Sequence, residues 1–499
     1  MTLPAFLSPV ARLPRWSQLL LVAIVLRAIT FGDPIVHVDE SFYFTTARAM
    51  VDGALPYVDV WDRKPVGLFL LYLPAAALGV PLGIWVYQAM ALAAATATAA
   101  MVARLADRAG WRRGALVAGI AYLAWLDMLE GQGGQAPVFY NLLMIAAAAL
   151  IAPGERDEAA SARLGRGVGA MALVGVALQI KYSVVFEGLF FGLWWMWRER
   201  RLGNPVVRIF AGAALLAIVA LLPTALAYGY YAWIGQAPAF VYANFRSIGQ
   251  RQADPLLEQL GNLGEIVLIT SPLFAAAILS FRRGERTALR TWLFAWLGAA
   301  TFGVLIFGTW FDHYALPLIA PLCICGAGFA DDPRRARLTV PIALGLALVV
   351  GLTTTVRKWA TRGTATEFAR IADAVGRGPG CLYVYSGDGD VMLYPYTGRC
   401  HPSRYVFPSH LGRTRERGAI GVDQQAEIDR ILDGKPAIVV MRTPYSGERS
   451  DLRALVIERM ARDYRLSEQL PQGSDSISVF TLKRPSPMPA ADDGGSPPP

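Results

Sequence analysis

The chain has 499 residues, of which 54% are hydrophobic and 17% charged, against about 25% charged in an average soluble domain. A water-soluble core cannot hide that much apolar surface, and the hydrophobic residues come in blocks of 13 to 25, lengths that suit bilayer spans and exceed core strands. The formal charge of +9 does not point to nucleic acid, because the arginines stand in short clusters between apolar blocks instead of along one face.

In chain order, Met1 to Trp16 leads into the apolar run Leu19 to Ile29. No small-residue cleavage site follows, so a retained first helix is expected and not a removable signal. Candidate spans are 17–31, 84–104, 115–129, 138–152, 168–180, 183–197, 207–231, 264–280, 291–308, 314–330 and 338–356. Arg12 and Arg15 precede the first. Alternate loops then carry Arg104 to Arg113, Arg156 to Arg166, Arg198 to Arg201, Arg282 to Arg290 and Arg334 to Arg337. These clusters share one side only if residues 168–197 cross twice, turning at Lys181, and the positive-inside rule makes that side cytoplasmic. The expectation is a polytopic α-helical protein of a bacterial inner membrane with about eleven spans, its N-terminus inside and its C-terminus outside.

Two longer loops, 32–83 and 232–262, then face outward. Within the first, 65–80 is apolar but short and bounded by proline, which predicts a helix lying in the interface. Residues 1–356 form the membrane domain. Beyond them, 357–485 reads as a small soluble α/β domain, with strand-like runs at Cys381 to Tyr385 and Ala437 to Met441 and a helix over Gln424 to Leu432. In an oxidising compartment Cys381 and Cys400 could pair, whereas Cys323 and Cys325 lie inside an apolar block and act as small hydrophobes. The tail 486–499, rich in Pro, Gly and Asp, is expected to be disordered.

The segment most suited to chemistry is His37-Val38-Asp39-Glu40 followed by Asp59-Val60-Trp61-Asp62-Arg63-Lys64-Pro65. Two acidic pairs and a Lys-Pro step lie in one outer loop between the first span and the interfacial helix. That placement suits a substrate with a lipid tail and a polar head. A carboxylate there could take a proton from an attacking hydroxyl and Lys64 could hold a phosphate; the plain alternative is a solvated loop. Arg27, near the outer end of the first span, could meet a lipid phosphate or simply snorkel. Asp388-Gly389-Asp390 is read as a turn, and Gly131-Gln132-Gly133-Gly134 lacks the Lys-Ser/Thr of a phosphate loop.

The Asp-Glu after the first span, Tyr43, Ala47, the Gly53 to Tyr57 turn and Lys64-Pro65 resemble the polyprenyl-phosphate-sugar-dependent glycosyltransferases of GT-C type, a group that includes protein O-mannosyltransferases and lipid A aminoarabinose transferases. The resemblance covers residues 17 to about 356. It implies Asp39 as general base, Glu40 as its support and Lys64 as the lysine near the lipid phosphate. Asp62 corresponds to an acid that helps hold a metal; in the family that acid directly precedes the lysine, whereas here Arg63 intervenes. Phe311-Asp312-His313-Tyr314-Ala315-Leu316-Pro317 is similar to the family's aromatic-Leu-Pro segment, which makes His313 a candidate for phosphate or metal, beside the option of a histidine that merely prefers the headgroup region. Lys181 matches a lysine often found at that hairpin, where a partner such as Glu187 or a lipid phosphate is expected.

No nucleotide site is found, and an outward-facing site has no access to cytoplasmic sugar nucleotides. The expected donor is therefore a sugar on polyprenyl phosphate, the acceptor a hydroxyl on a lipid, glycan or protein, and the reaction an inverting transfer, with a divalent cation (Mg2+, Mn2+ or Zn2+) as a further implied component. Membrane lipids are the other partners. Two alternatives remain at this stage: a lipid or sugar transporter or flippase, which should show broken mid-membrane helices and a repeat, and a non-catalytic membrane binding module, which would not need the acidic pairs.

Overall fold

The computed structural model describes residues 12–154 and 159–483, and the side chain of residue 336 is not described. Arg156 and the tail after Pro485 fall outside the described residues. The bundle helices are, in chain order, α1 Arg15–Arg27, α2 Val38–Val51, α3 Val66–Ala77, α4 Leu82–Arg108, α5 Gly114–Met128, α6 Ala136–Ile151, α7 Ala160–Leu178, α8 Val185–Arg201, α9 Val206–Trp233, α10 Leu256–Arg283, α11 Ala288–Ile306, α12 Leu316–Ala330 and α13 Thr339–Arg362. Apart from α2 and α3, these coincide with the eleven expected spans. The backbone is extended at Lys181 (φ −157°, ψ 128°), so α7 and α8 are separate helices.

Seven segments, corresponding to α4, α7 and α9 to α13, are long and apolar enough to cross a bilayer by length and composition. The helices α1, α5, α6 and α8 have 13, 15, 16 and 17 residues. At 1.5 Å per residue a 13-residue helix rises only about 20 Å, against a hydrocarbon core of about 30 Å. Protein surrounds the ends of α5 and α6. Their connection is buried at Leu129, Gln132 and Gln135, and irregular backbone at depth is tolerated where protein encloses it. The helix α5 packs against α4, α12 and α13. Basic loops meet at one end of the bundle: Arg15 pairs with Asp107, the Arg113 N–H donates to Asp331, and Arg290 and Arg166 donate to the carbonyls of Ala109 (2.8 Å) and Leu150 (2.6 Å).

At the opposite end, the first long loop contains α2, a helix that the sequence pattern does not announce. His37 caps it by accepting the Asp39 N–H at Nδ1 (3.1 Å), and Asp39 and Glu40 in the first turn suit the positive end of the helix dipole. Residues 40–47 are all buried. A helix enclosed on every side has no apolar stripe to read.

The C-terminal region contains α14 Ala365–Val375, β1 Leu382–Val384, α15 Gln424–Asp433, β2 Ile438–Arg442, α16 Ser450–Asp463, β3 Tyr464–Gln472 and β4 Asp475–Leu482. Its four-stranded sheet has the order β1-β2-β4-β3, with β1 and β2 parallel and the remainder antiparallel. The strands β1 and β2 and the helix α15 fall on the expected runs. The β3–β4 hairpin was not expected, because β3 is exposed over most of its length and lacks alternation. Cys381 and Cys400 are joined in a disulfide. Asp388-Gly389-Asp390 opens a 3-10 turn that packs on α2.

Two further contacts seat this region on the bundle. The hairpin turn presses on the end of α13, where Ser474 N–H donates to the Thr361 carbonyl (3.0 Å). Gly473 is required there: its φ is +58°, and a Cβ would lie 2.2 Å from the Thr361 oxygen. The segment 404–416 runs along the loops 32–83 and 232–262. Trp61 N–H donates to the Arg404 carbonyl (2.9 Å), and buried Glu416 pairs with both Arg63 and Arg251 at 2.6 Å.

Candidate active site

Asp39, in the first turn of α2, is the centre of the polar cluster at this end of the bundle. Its Oδ1 lies 3.7 Å from Lys64 Nζ, its Oδ2 lies 3.8 Å from His313 Nε2, and Oδ2 accepts a hydrogen bond from Gln135 Nε2 (3.0 Å). Lys64 comes from the loop before α3, His313 from the 3-10 turn before α12, and Gln135 from the α5–α6 connection. Four separate stretches of chain thus supply one constellation. Burial pushes the Asp39 carboxyl up, but Lys64, His37 and His313 together hold it well below the usual carboxylate range. Asp39 is therefore an anion at any physiological pH.

A second carboxylate, Glu130, was not anticipated from the sequence. It accepts from His37 Nε2 (3.0 Å), Lys358 Nζ (2.6 Å) and Arg362 (2.6 Å), and lies 3.7 Å from His313 Nδ1. Burial raises its pKa, yet His313, His37 and Arg362 outweigh it and hold Glu130 well below its ordinary value. Glu130 adopts φ +66°, a conformation that costs a non-glycine residue free energy. A Glu directly before a Gly-rich turn, together with Lys358 and Arg362 at the end of the last span, is the signal that could have found this group. His37 stood in the quoted motif without a role.

The structure does not bring the other expected residues to Asp39. Glu40 follows Asp39 on α2 but faces the interior, against the backbone of Gly133; a Cβ on that glycine would be 2.3 Å from Oε2. It is fully buried, and burial outweighs His37, the Gly134 backbone N–H and Arg27 to raise its pKa. Burial thus disfavours its charged form. Arg27 neither reaches the cluster nor snorkels. It is 2% exposed, pairs with Asp127 at 3.4 Å and donates to the Gly131 carbonyl. Lys181 sits beside the cluster with Nζ 4.7 Å above the Tyr314 ring. Its expected partner Glu187 instead accepts from Trp296 (2.5 Å), and among the described residues Lys181 has no carboxylate partner. Burial pushes it down to about 8, partly countered by Asp39.

For a metal, the donor set differs from the expected Asp62 and His313. Asp62 is committed to Lys64 (3.4 Å) and His410 (3.8 Å). His37, Asp39 and His313 instead offer donor atoms within 4.8 Å of one another. Two imidazoles and a carboxylate suit Zn2+ or Mn2+ better than Mg2+. His313 Nε2, the nitrogen that faces Asp39 Oδ2 at 3.8 Å, has no hydrogen-bond partner among the described residues, whereas both ring nitrogens of His37 are engaged, by the Asp39 N–H and by Glu130. The residues therefore fit a cation held chiefly by Asp39 and His313, with His37 joining by giving up one bond.

No protein-family model matches the chain, and no curated protein matches it in sequence. Its fold is shared with solved structures at sequence identities of 10–16%. Among solved structures it is similar to ArnT from Cupriavidus metallidurans bound to undecaprenyl phosphate, with a TM-score of 0.63 and 15% identity, covering 95% of this chain and 98% of that one. The apo state of that ArnT gives 0.61 and 16%, covering 93% and 97%. The oligosaccharyltransferase of Archaeoglobus fulgidus, tethered to an acceptor peptide containing the NVT sequon, gives 0.52 and 10%, covering 88% and 70%.

Proposed function

We propose that the protein is a membrane glycosyltransferase that moves a sugar from a polyprenyl-phosphate carrier to an acceptor hydroxyl on the outer face of a bacterial inner membrane. The observation that carries this assignment is the convergence of Asp39, Lys64 and His313 from three separate stretches of a GT-C fold, beside Lys181, a cation with no carboxylate partner among the described residues. The undecaprenyl phosphate bound by ArnT supports the same donor class. In the proposed reaction the acceptor hydroxyl hydrogen-bonds to Asp39 and attacks the anomeric carbon. Its proton passes to Asp39, and the electrons of the breaking carbon–oxygen bond go to the phosphate, which Lys64 and Lys181 receive. Direct displacement inverts the anomeric centre. The donor phosphate draws Lys64 away from Asp39, removing the partner that most depresses its basicity. A divalent cation held by Asp39 and His313 would supply further charge to the departing phosphate.

The test is transfer of radiolabelled sugar from a panel of polyprenyl-phosphate sugars by membranes with matched amounts of wild-type protein, Asp39→Asn or Lys64→Ala. Transfer by the wild type that both variants lose supports the assignment. A wild type inactive with every donor overturns it.

Two further outcomes are expected. Lys181 is cationic below about pH 8 and neutral above it, so kcat/KM for the donor falls as pH rises through about 8, and Lys181→Arg carries activity to higher pH because guanidinium stays charged. Asp39 adds no acidic limb between about pH 5 and 8, its carboxyl titrating far below that window. A profile flat to pH 9.5 would remove Lys181 from the phosphate site. Metal analysis of purified protein is expected to find about one Zn2+ or Mn2+ per chain, and His313→Ala to lose it; equal metal content in both would remove His313 as a ligand.

A further inference from the structure

Outside the Asp39 cluster, the structure has a cleft of 530 Å³ where the first outer loop meets the C-terminal region. That size lies within the range of small-molecule sites. Asp59 forms one wall and the turn 401–405 together with Glu427 and Arg430 forms the other. Its polar groups are built in. Glu427 accepts from Ser403 (2.5 Å) and Arg430 (2.6 Å), the Ser403 carbonyl lies 2.9 Å from His401 Nδ1, and Arg404 donates to the Tyr405 hydroxyl (2.8 Å). These bonds leave donors on Arg404 and Arg430 and an acceptor on Asp59 with spare capacity toward the space between them.

The composition of the lining selects the ligand. A bare anion would face the carboxylates of Asp59 and Glu427, and an apolar ligand would strand several charged groups without hydrogen bonds. A polyhydroxylated ligand meets both, because each hydroxyl donates and accepts, and Val58, Pro402 and Val422 offer small apolar surface for C–H faces. The cleft is also tied to the proposed chemistry. Trp61 N–H donates to the Arg404 carbonyl, and Asp59 is five residues before Lys64 in the sequence, a separation of at most roughly 18 Å.

We propose that this cleft is a glycan-binding subsite, recognising a neutral oligosaccharide portion of the acceptor. The binding itself is independent of catalysis, while its role as an acceptor subsite rests on the transferase assignment above. The C-terminal region thereby selects the acceptor by its sugars, holding one part of the glycan while a hydroxyl further along reaches Asp39.

The experiment is saturation-transfer NMR and calorimetry with full-length protein in lipid nanodiscs, so that no glycosidic detergent competes. The probes are maltotetraose, mannotetraose and cellotetraose, with inorganic phosphate as the contrasting ligand. At least one tetrasaccharide is expected to bind wild type and Asp39→Asn equally, with affinity reduced about tenfold or more in Arg404→Ala and in Glu427→Gln. Unchanged thermal unfolding of these variants excludes misfolding as the cause, and Asp59→Asn gives a third variant on the opposite wall. Tetrasaccharide binding by a wild-type protein that transfers no sugar from any donor would leave the cleft standing and sink the transferase assignment. No binding by any tetrasaccharide, binding insensitive to all three cleft variants, or binding of phosphate in place of sugar would overturn the proposal.

Discussion

Asp39→Asn is expected to lower kcat/KM for sugar transfer about 10²–10⁴-fold, the range typical of removing a general base, with little change in stability. The substitution keeps the side chain's size and its contact with Gln135 (3.0 Å). Lys64 is not stranded by it, because Asp62 remains 3.4 Å away. Glu40 cannot substitute, since its buried carboxyl points to Gly133 and not to the Lys64 side of the helix. The measurement is initial rate against acceptor concentration, with folding checked by size-exclusion and thermal unfolding. A variant within tenfold of wild type would assign the proton to another group, and Glu130 is the next carboxylate in the cluster.

The second large effect concerns stability. Glu416→Ala leaves the guanidinium groups of Arg63 and Arg251, each 2.6 Å from the lost carboxylate, without their shared anion in a partly buried setting. Removing one partner of a buried ion pair costs about 3–5 kcal/mol. Because Arg63 directly precedes Lys64 and Arg251 lies in the 232–262 loop, the same change should release the segment 404–416 from both loops. Thermal unfolding well below wild type, with faster proteolysis near Arg413 to Arg417, is the expected result, and Glu416→Gln should be milder because it keeps an acceptor. An unfolding temperature within a degree of wild type would show that the pairs contribute nothing net.

The helices for the eleven expected spans were legible because long apolar blocks have few alternatives, and the break at Lys181 was legible from loop charge alone. The candidate site was legible in part. Asp39 and Lys64 lie 25 residues apart in one loop of the sequence, and a resemblance placed His313 beside them. Glu130, Gln135, Lys358 and Arg362 were missed because each lies at the edge of an apolar block, where a polar residue ordinarily means only that a helix has ended. Arg27 was misplaced for a related reason. Its partner Asp127 belongs to a different helix, and nothing in local spacing reports that an arginine turns inward. The second histidine of the donor set, His37, was hidden by its other role as a helix cap.

The ion pairs of Glu130 carry a consequence for how the protein is made. Its carboxylate precedes Lys358 by 228 residues and Arg362 by 232, and both cations stand at the end of α13. During synthesis the chain must therefore insert ten spans while this acid lacks two of its partners, and a chain arrested before α13 carries the acid at the mouth of the bundle without the counter-charges of Lys358 and Arg362. Completion of the last helix supplies those counter-charges and, through Thr361, brings in the hairpin turn of the C-terminal region. Assembly of the full cluster thus waits for the last helix of the membrane bundle.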